Sequence, residues 1–162
     1  MRQIFRTTLV MALISLFMGL TSHAQSQPAV PSEDAAIRQT ALDYTEGWYE
    51  GDAARMERAL HPELAKRMVY ADPRGRSRLE QSAMTLVQNT RAGGGSRTPK
   101  DQQQKDVAIL DRFNNAAVVK IVASGWVDYL EVVKFEGQWK IINVLWEMKT
   151  PPAPQKSSTP GQ

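Results

Sequence analysis

A few side chains in this sequence have the chemistry to bind or transform a small molecule. His61 is one of two histidines, and the other, His23, lies in an N-terminal stretch with leader-like features. Because its imidazole titrates near neutral pH, His61 could act as a general base or as a hydrogen-bond partner of a ligand. It could equally end a helix before Pro62, where a positive imidazole suits the helix C-terminus. Both interpretations stay open at this point.

Cationic, aromatic and sulfur side chains favour a binding pocket. Lys66 and Arg67 could face an anionic or carbonyl-bearing ligand at the pocket mouth, and Arg67 suits bidentate recognition. Flat aromatic side chains favour a cavity for a planar ligand, although each apolar member could instead belong to the core. The candidate ligand-binding residues are Trp48, Met56, His61, Arg67, Tyr70, Tyr129, Val144 and Trp146, and further pocket candidates are Tyr44, Leu60 and Met148.

Several chemistries are excluded by what the sequence lacks. None of the 162 residues is cysteine, which rules out thiolate catalysis, disulfides and cysteine-ligated zinc. The sequence has no phosphate-binding loop, Ser-His-Asp set, H-E-x-x-H pattern or calcium loop, so we expect neither a metal nor a cofactor. Removing Arg2 and Arg6 of the leader from the 20 basic residues leaves 18 against 17 acidic ones. This balance does not favour binding to nucleic acid or to a membrane.

Residues 1–24 are typical of an export signal. Two arginines precede an apolar run from Leu9 to Leu20, and small residues, Ser22 and Ala24, occupy the −3 and −1 positions of a cleavage site. The run is shorter than the ~20 residues of a spanning helix. We therefore predict cleavage after Ala24 and a periplasmic or secreted protein. Residues 25–31 are a predicted linker, 32–150 the folded domain, and 151–162 a disordered tail.

The positions that hold these side chains are predicted to be helical in the first half of the domain. Ser32 is a candidate N-cap of a helix whose apolar face is Ile37, Ala41, Tyr44 and Trp48. Asp52 caps a short second helix that stops at Pro62.

A third helix is predicted from a capping box. Ser77 is followed three residues later by Glu80, and the helix runs from there to about Thr90. A flexible polar loop follows, up to Lys105.

Strand-like patterns follow in the second half. β-Branched and aromatic residues fill 107–110, 117–123, 127–135 and 139–148, with turn residues between them. Helices followed by a run of strands predict an α+β domain with helices on one face of an antiparallel sheet. The last stretch is apolar on both faces, and a strand of that kind must be covered on both. We therefore predict a homodimer formed through the sheet.

Several blocks of the chain resemble one family in order and spacing. They are DYTEGWYEGD at 43–52, RALHP at 58–62, KRMV at 66–69, DYL at 128–130, and Trp139, Lys140, Ile141 and Asn143. They resemble the family described as "Putative lumazine-binding", within the nuclear transport factor 2-like superfamily, over residues 33–149. The resemblance implies three helices packed on a strongly curved antiparallel sheet, a cystatin-like cone with a pocket. The superfamily includes isomerases, polyketide cyclases, dehydratases and transport factors, so fold does not settle chemistry.

The ketosteroid isomerases of this superfamily supply an enzyme hypothesis. Their helix-1 tyrosine, general-base aspartate before Pro-x-Gly and protonated aspartate before a turn glycine are matched here by Tyr44, Asp72 and Glu131. The resemblance implies these as candidate catalytic residues, a base with two oxyanion donors. The chain departs from the pattern in a longer segment before Asp72, in Glu for Asp at 131, and in nearby Arg67 and Arg74, which would hold carboxylates ionised.

Together, these features predict an exported, dimeric small-molecule-binding protein that holds an aromatic or apolar ligand, without demonstrated catalysis. Two alternatives stay open. One is an isomerase, cyclase or dehydratase using Tyr44, Asp72, Glu131 or His61. The other is a dimeric interaction module whose cavity is filled by Trp48 and Trp146.

Overall fold

The computed structural model describes residues 31–69 and 80–149. Within them, three α-helices and six strands account for most of the chain. The helices are α1 (Glu33–Glu50), α2 (Ala53–Ala59) and α3 (Ala83–Arg91), and the strands are β1 (Leu60–Val69), β2 (Glu80–Gln81), β3 (Lys105–Phe113), β4 (Ala116–Ala123), β5 (Trp126–Phe135) and β6 (Gln138–Met148). The predicted α+β class is confirmed. The predicted leader, the cleavage site and the tail lie outside the described residues.

The first two helices begin and end where their capping residues stand. The Ser32 hydroxyl accepts a hydrogen bond from the amide of Ala35 at 3.2 Å, and Gly51 ends α1 with a left-handed φ of 68°. Asp52 caps α2 by accepting from the amide of Arg55 at 3.0 Å. No helix of the described residues is long and apolar enough to cross a membrane.

The sheet is mixed, which the sequence analysis did not predict. Its strand order is β2-β1-β6-β5-β4-β3, and β1 runs parallel to β6 while all other pairs are antiparallel. Pro62, expected to end a helix, lies inside β1. Proline is tolerated here because the β1–β6 ladder is irregular between Leu60 and Ala65, and Pro62 has no partner in it that would need a backbone N–H donor. His61 therefore belongs to a strand, and α2 ends before it, at Ala59.

The third helix begins later than predicted. Glu80 pairs with Arg67 in the β1–β2 ladder, so the proposed capping box does not start a helix; Ser77 itself lies outside the described residues. The N-cap of α3 is Ser82, whose hydroxyl accepts from the amide of Thr85 at 3.3 Å. A second serine five positions along thus caps the helix, and the chain before it extends the sheet.

One face of the sheet is buried under the helices and the other is open. The residues of β4, β5 and β6 that point to the helices are almost fully buried. They alternate along β4 and β5, as strand geometry requires, while a register shift in the β5–β6 ladder separates the two in β6; they are Val119, Ile121, Leu130, Val132, Ile141 and Val144. They pack against apolar residues of the helices, including Ile37, Ala41, Met56 and Leu86. On the opposite, outer face, Val118, Tyr129 and Leu145 are exposed.

The contact between α1 and α2 depends on Gly47. A Cβ atom at this position would lie 3.0 Å from the Met56 amide nitrogen and 3.3 Å from the Asp52 carbonyl oxygen, both backbone atoms. Because backbone atoms cannot rotate away as a side chain can, the two helices would have to separate.

We predict that Gly47→Ala lowers the free energy of unfolding by a net ~1 kcal/mol or more, because overpacking outweighs the higher helix propensity of alanine. Urea unfolding of the purified variant measures the loss. Gly125→Ala is the matched control, since its Cβ would meet only Met148 Cε at 3.9 Å. Equal stability of Gly47→Ala and the parent protein would contradict the close helix contact.

Candidate functional site

A cavity of about 180 Å³ lies at the inner face of the sheet, next to α1, α2 and α3. Its walls are mainly ring faces, thioethers and one leucine, with a few polar groups among them. The lining residues are Tyr44, Trp48, Met56, Lys66, Gln81, Leu86, Trp126, Trp146 and Met148. Apolar walls around few polar groups are typical of small-molecule sites. A cavity of ~150 Å³ suffices for benzene, so the volume of this one is that of a compact ring system.

The polar centre beside the cavity consists of Lys66 and Tyr44, which line it, and of Asp128, which contacts both. They come from β1, α1 and β5, and at most 7% of any of the three residues is exposed. The Lys66 Nζ donates hydrogen bonds to the Tyr44 hydroxyl and, at 3.4 Å, to Asp128 Oδ1. The Tyr44 hydroxyl donates to the same carboxylate oxygen at 3.3 Å. Each of the three groups therefore contacts the other two.

The other oxygen of Asp128 is also occupied. Trp126 Nε1 donates to Asp128 Oδ2 at 2.5 Å, so the carboxylate accepts three hydrogen bonds in all. A buried carboxylate is tolerable only when it is paired and hydrogen-bonded. Asp128 meets both conditions through an indole, a phenol and an ammonium group.

Burial changes the proton affinity of both Lys66 and Tyr44. Desolvation lowers the pKa of Lys66 from its ordinary value of 10.5, although the Asp128 carboxylate opposes that change. Desolvation and the negative charge of Asp128 both raise the pKa of Tyr44 well above 10. The amine is thus easier to deprotonate than an exposed lysine, while the phenol keeps its proton.

Aromatic faces surround the amine. Lys66 Nζ lies 4.8 Å from the centroid of the Trp146 ring and 5.1 Å from that of Tyr44. Such contacts stabilise a cation by ~0.5–2 kcal/mol, most where water is excluded. They also fix the amine at the junction between the polar centre and the aromatic walls.

The structure brings some of the predicted site residues together. Tyr44, Trp48, Met56 and Trp146 all line the cavity, and so does Met148. Asp72 and Tyr70 lie outside the described residues.

Other predicted site residues lie on the outer face of the sheet or in the core. Tyr129 and Glu131 are exposed there and share a shallow groove with Arg67. Glu131 accepts a hydrogen bond from Asn143 Nδ2 at 2.6 Å. Val144 belongs to the hydrophobic core. The structure therefore does not bring Glu131 and Tyr44 into one site.

His61 lies apart from the cavity lining. It is buried, its Nδ1 accepts from the amide of Glu63 at 3.1 Å, and its ring meets Phe135 edge-on at a centroid distance of 4.4 Å. These contacts give the imidazole a packing role at the start of β1. Among the described residues, no cluster of three or more His, Cys, Asp or Glu could hold a metal ion.

Sequence reasoning missed Asp128 and Trp126 as site residues. Both lie an even number of residues from the buried Leu130 and Val132, so they share the inner face of β5. The signal that could have identified the site was the carboxylate of Asp128 on this otherwise apolar face. Lys66 was noted only as a group for the pocket mouth. Lys66 lies two residues after the buried Leu64, so strand alternation would have placed it on the inner face, but β1 had not been predicted as a strand.

Comparison with known proteins identifies the class of protein and then the family. Two structures similar to this chain are nuclear transport factor 2-like proteins of unknown function. The one from Silicibacter pomeroyi is 18% identical, with 72% of this chain and 95% of that chain covered and a TM-score of 0.57. The one from Methylobacillus flagellatus is 16% identical, with 75% and 96% covered and a TM-score of 0.59.

A third similar structure is a ketosteroid isomerase-like protein from Erwinia carotovora atroseptica. It is 11% identical, with 75% of this chain and 100% of that chain covered and a TM-score of 0.51. At these identities the likeness establishes the fold, which is nuclear transport factor 2-like.

A comparison with curated proteins gives no match. The profile of the family described as "Putative lumazine-binding" matches residues 32–147, and the chain belongs to this family. Family and fold together support a small-molecule-binding or isomerase-like protein.

We predict that Lys66 and Asp128 are energetically coupled. Lys66→Met or Asp128→Asn alone leaves one buried charge without its partner, which costs ~3–5 kcal/mol. The double variant leaves neither charge, so its free energy of unfolding should fall by much less than the sum of the decreases in the two single variants. Urea unfolding of all four proteins gives the coupling energy. Additive losses would mean that the two groups do not interact.

Proposed function

We propose that the protein binds a compact, planar aromatic molecule in the cavity, with a hydrogen-bond acceptor of that molecule facing Lys66. The observation that carries this proposal is the buried amine of Lys66, the one amine among the described residues that line a mainly aromatic and thioether-lined space. The family to which the chain belongs supports the same kind of ligand.

The walls favour a flat ring. Trp48, Trp126 and Trp146 all line the space, and stacking adds ~0.5–1.5 kcal/mol per aromatic pair beyond the burial of area. Two thioethers, Met56 and Met148, adapt their shape to a ring edge. A flexible aliphatic ligand would lose more conformational entropy on binding for the same contacts.

The polar centre favours an acceptor on that ring. An ammonium group has three N–H donors, and two of those on Lys66 point to Tyr44 and Asp128. The third is available to a carbonyl or ring nitrogen of a ligand. The Gln81 side-chain amide, also at the cavity, offers one further donor and acceptor.

The structure supports binding over a filled cavity. In the alternative of a pure interaction module, Trp48 and Trp146 would fill the space themselves. Both rings instead border about 180 Å³ of open volume. The isomerase alternative has less support, because Glu131 is exposed on the outer face of the sheet whereas Tyr44, on α1, is buried beside the cavity.

We predict that a planar heteroaromatic carbonyl compound, with lumazine as the first probe, saturates the protein and quenches its tryptophan fluorescence. Trp146→Leu should weaken binding about tenfold, equivalent to ~1.4 kcal/mol, because one stacking wall is lost. Isothermal titration calorimetry compares the affinities. Met84→Ala, which removes an exposed side chain outside this cavity, should leave the affinity unchanged. The same weakening in both variants, or no saturable binding of any planar probe, would count against the proposal.

We also propose that the protein is exported and forms a homodimer through the outer face of the sheet. That face presents Val118, Tyr129 and Leu145, of which Tyr129 is 44% and Leu145 49% exposed. Apolar residues on both faces of β6 need cover on both sides, and the helices cover only one. The leader-like residues 1–24 support export.

We predict that native mass spectrometry of the protein from a periplasmic extract gives twice the mass of a chain beginning at Gln25. Leu145→Lys should give a monomer, because the buried charges of two copies would repel each other. Met84→Lys places the same charge on α3, outside the outer face, and should remain dimeric. A monomeric parent protein contradicts the dimer, and a mass that includes residues 1–24 contradicts cleavage.

A further inference from the structure

We propose that Lys66 is a nucleophilic amine that forms an imine with an aldehyde or ketone group on the aromatic ligand. This inference rests on the proposed function, since the ligand must first enter the cavity. It goes beyond recognition of a ligand, because it assigns covalent chemistry to one atom, Lys66 Nζ.

The position of Lys66 favours this chemistry. Among the described residues that line the cavity, it is the one that carries an amine. Only 9% of its side chain is exposed, and Trp146 and Tyr44 enclose the Nζ atom. Desolvation lowers the pKa of Lys66 although Asp128 and the ring faces stabilise its ammonium form, so the nucleophilic neutral amine is easier to reach than in an exposed lysine. Because Lys66 lines the cavity beside Trp146, a ring bound there would bring an attached carbonyl carbon near Nζ.

The neighbours of Lys66 supply the proton transfers. The ammonium proton can pass to the Asp128 carboxylate directly, across 3.4 Å, or through the Tyr44 hydroxyl, which accepts from Lys66 and donates to Asp128. The neutral amine that results stands beside a protonated carboxyl group. The same chain of hydrogen bonds, run in reverse, returns a proton to the cavity. Tyr44 is thus a positioning residue that connects the amine with the acid.

The reaction balances without a further reactant. The Nζ lone pair attacks the carbonyl carbon, a C–N bond forms, and the C=O electron pair moves to oxygen, which takes up a proton. The nitrogen then loses its remaining protons and forms C=N, while the C–O bond breaks and the oxygen leaves as water. One amine and one carbonyl compound give one imine and one water, with no change of oxidation state.

An ordinary buried ion pair is the competing interpretation. Such a pair would need Lys66 to balance Asp128 and nothing more. The two interpretations differ in whether Nζ reacts with a carbonyl compound that fits the cavity.

Reductive trapping tests the proposal. Full-length protein is incubated with benzaldehyde and cyanoborohydride, and peptide mapping by mass spectrometry gives the rate of benzyl addition at each lysine. We expect Lys66 to react about tenfold faster than Lys105, whose side chain is 42% exposed and paired with Glu46. A rate at Lys66 equal to or below that at Lys105 overturns the proposal.

Two variants separate the chemistry from folding and from binding. Lys66→Arg keeps the positive charge beside Asp128 but cannot form an imine, so fast trapping should disappear. If that variant does not fold, the Lys66→Met/Asp128→Asn double variant serves the same purpose with both charges removed. Tyr44→Phe keeps the ring but removes the hydroxyl, and we expect slower trapping at Lys66 at saturating benzaldehyde. Because Tyr44 lines the cavity, titration with toluene, which has no carbonyl, measures the affinity of this variant separately.

The failure of this proposal is distinguishable from failure of the proposed function. Saturable binding of toluene without fast trapping of benzaldehyde at Lys66 overturns the imine and leaves the binding cavity intact. No binding of toluene, benzaldehyde or lumazine overturns both. Trapping that persists unchanged in Lys66→Arg places the reaction at another lysine and also overturns the assignment.

Discussion

The buried pairing of Lys66 with Asp128 is the constraint on which the rest of the structure depends. Moving either charge out of water costs several kcal/mol, so each needs the other and further hydrogen bonds in a fixed geometry. Tyr44 and Trp126 provide those bonds. Because the partners come from α1, β1 and β5, a slip of one residue in either strand would turn its charged group to the opposite face. The pair therefore helps to specify the strand register as well as the site.

The shape of the cavity also depends on the turn that follows α3, which packs against one of the cavity walls. Trp48, one of its walls, is fixed by the glycine turn after α3: a Cβ at Gly95 would lie 2.7 Å from the Trp48 indole nitrogen. The Gly95 amide also donates to the Trp48 carbonyl oxygen at 2.9 Å. A side chain in that turn would displace the ring, so a turn remote in sequence sets the position of a binding wall.

The sequence predicted elements whose signal is local and missed those that depend on distant partners. The face of α1 that carries Tyr44 was predicted because its apolar residues recur with helical spacing, independently of the rest of the fold. β1 was missed because Pro62 suggested a break, and because Lys66 in this strand becomes buried only through distant partners, which are Tyr44, Asp128 and Trp146. Glu80 was assigned to a helix since the Ser-x-x-Glu spacing is satisfied locally, whereas pairing with Arg67 is not visible in the sequence. Local patterns therefore predicted the helical segments, whereas the residues of the site became visible only through strand pairing in the structure.

The position of the acid in β5 shows why a correspondence by spacing alone misleads. Counting back from the turn glycine selects Glu131, yet alternation along the strand sends that side chain to the outer face, beside Asn143. Asp128 lies three residues earlier, an odd number, and so points to the inner face and to Tyr44. The phenol is then engaged by both an amine and a carboxylate, an arrangement suited to moving a proton to or from Lys66. Spacing alone thus selected a carboxylate on the outer face, whereas alternation along β5 places Asp128 beside the amine of Lys66.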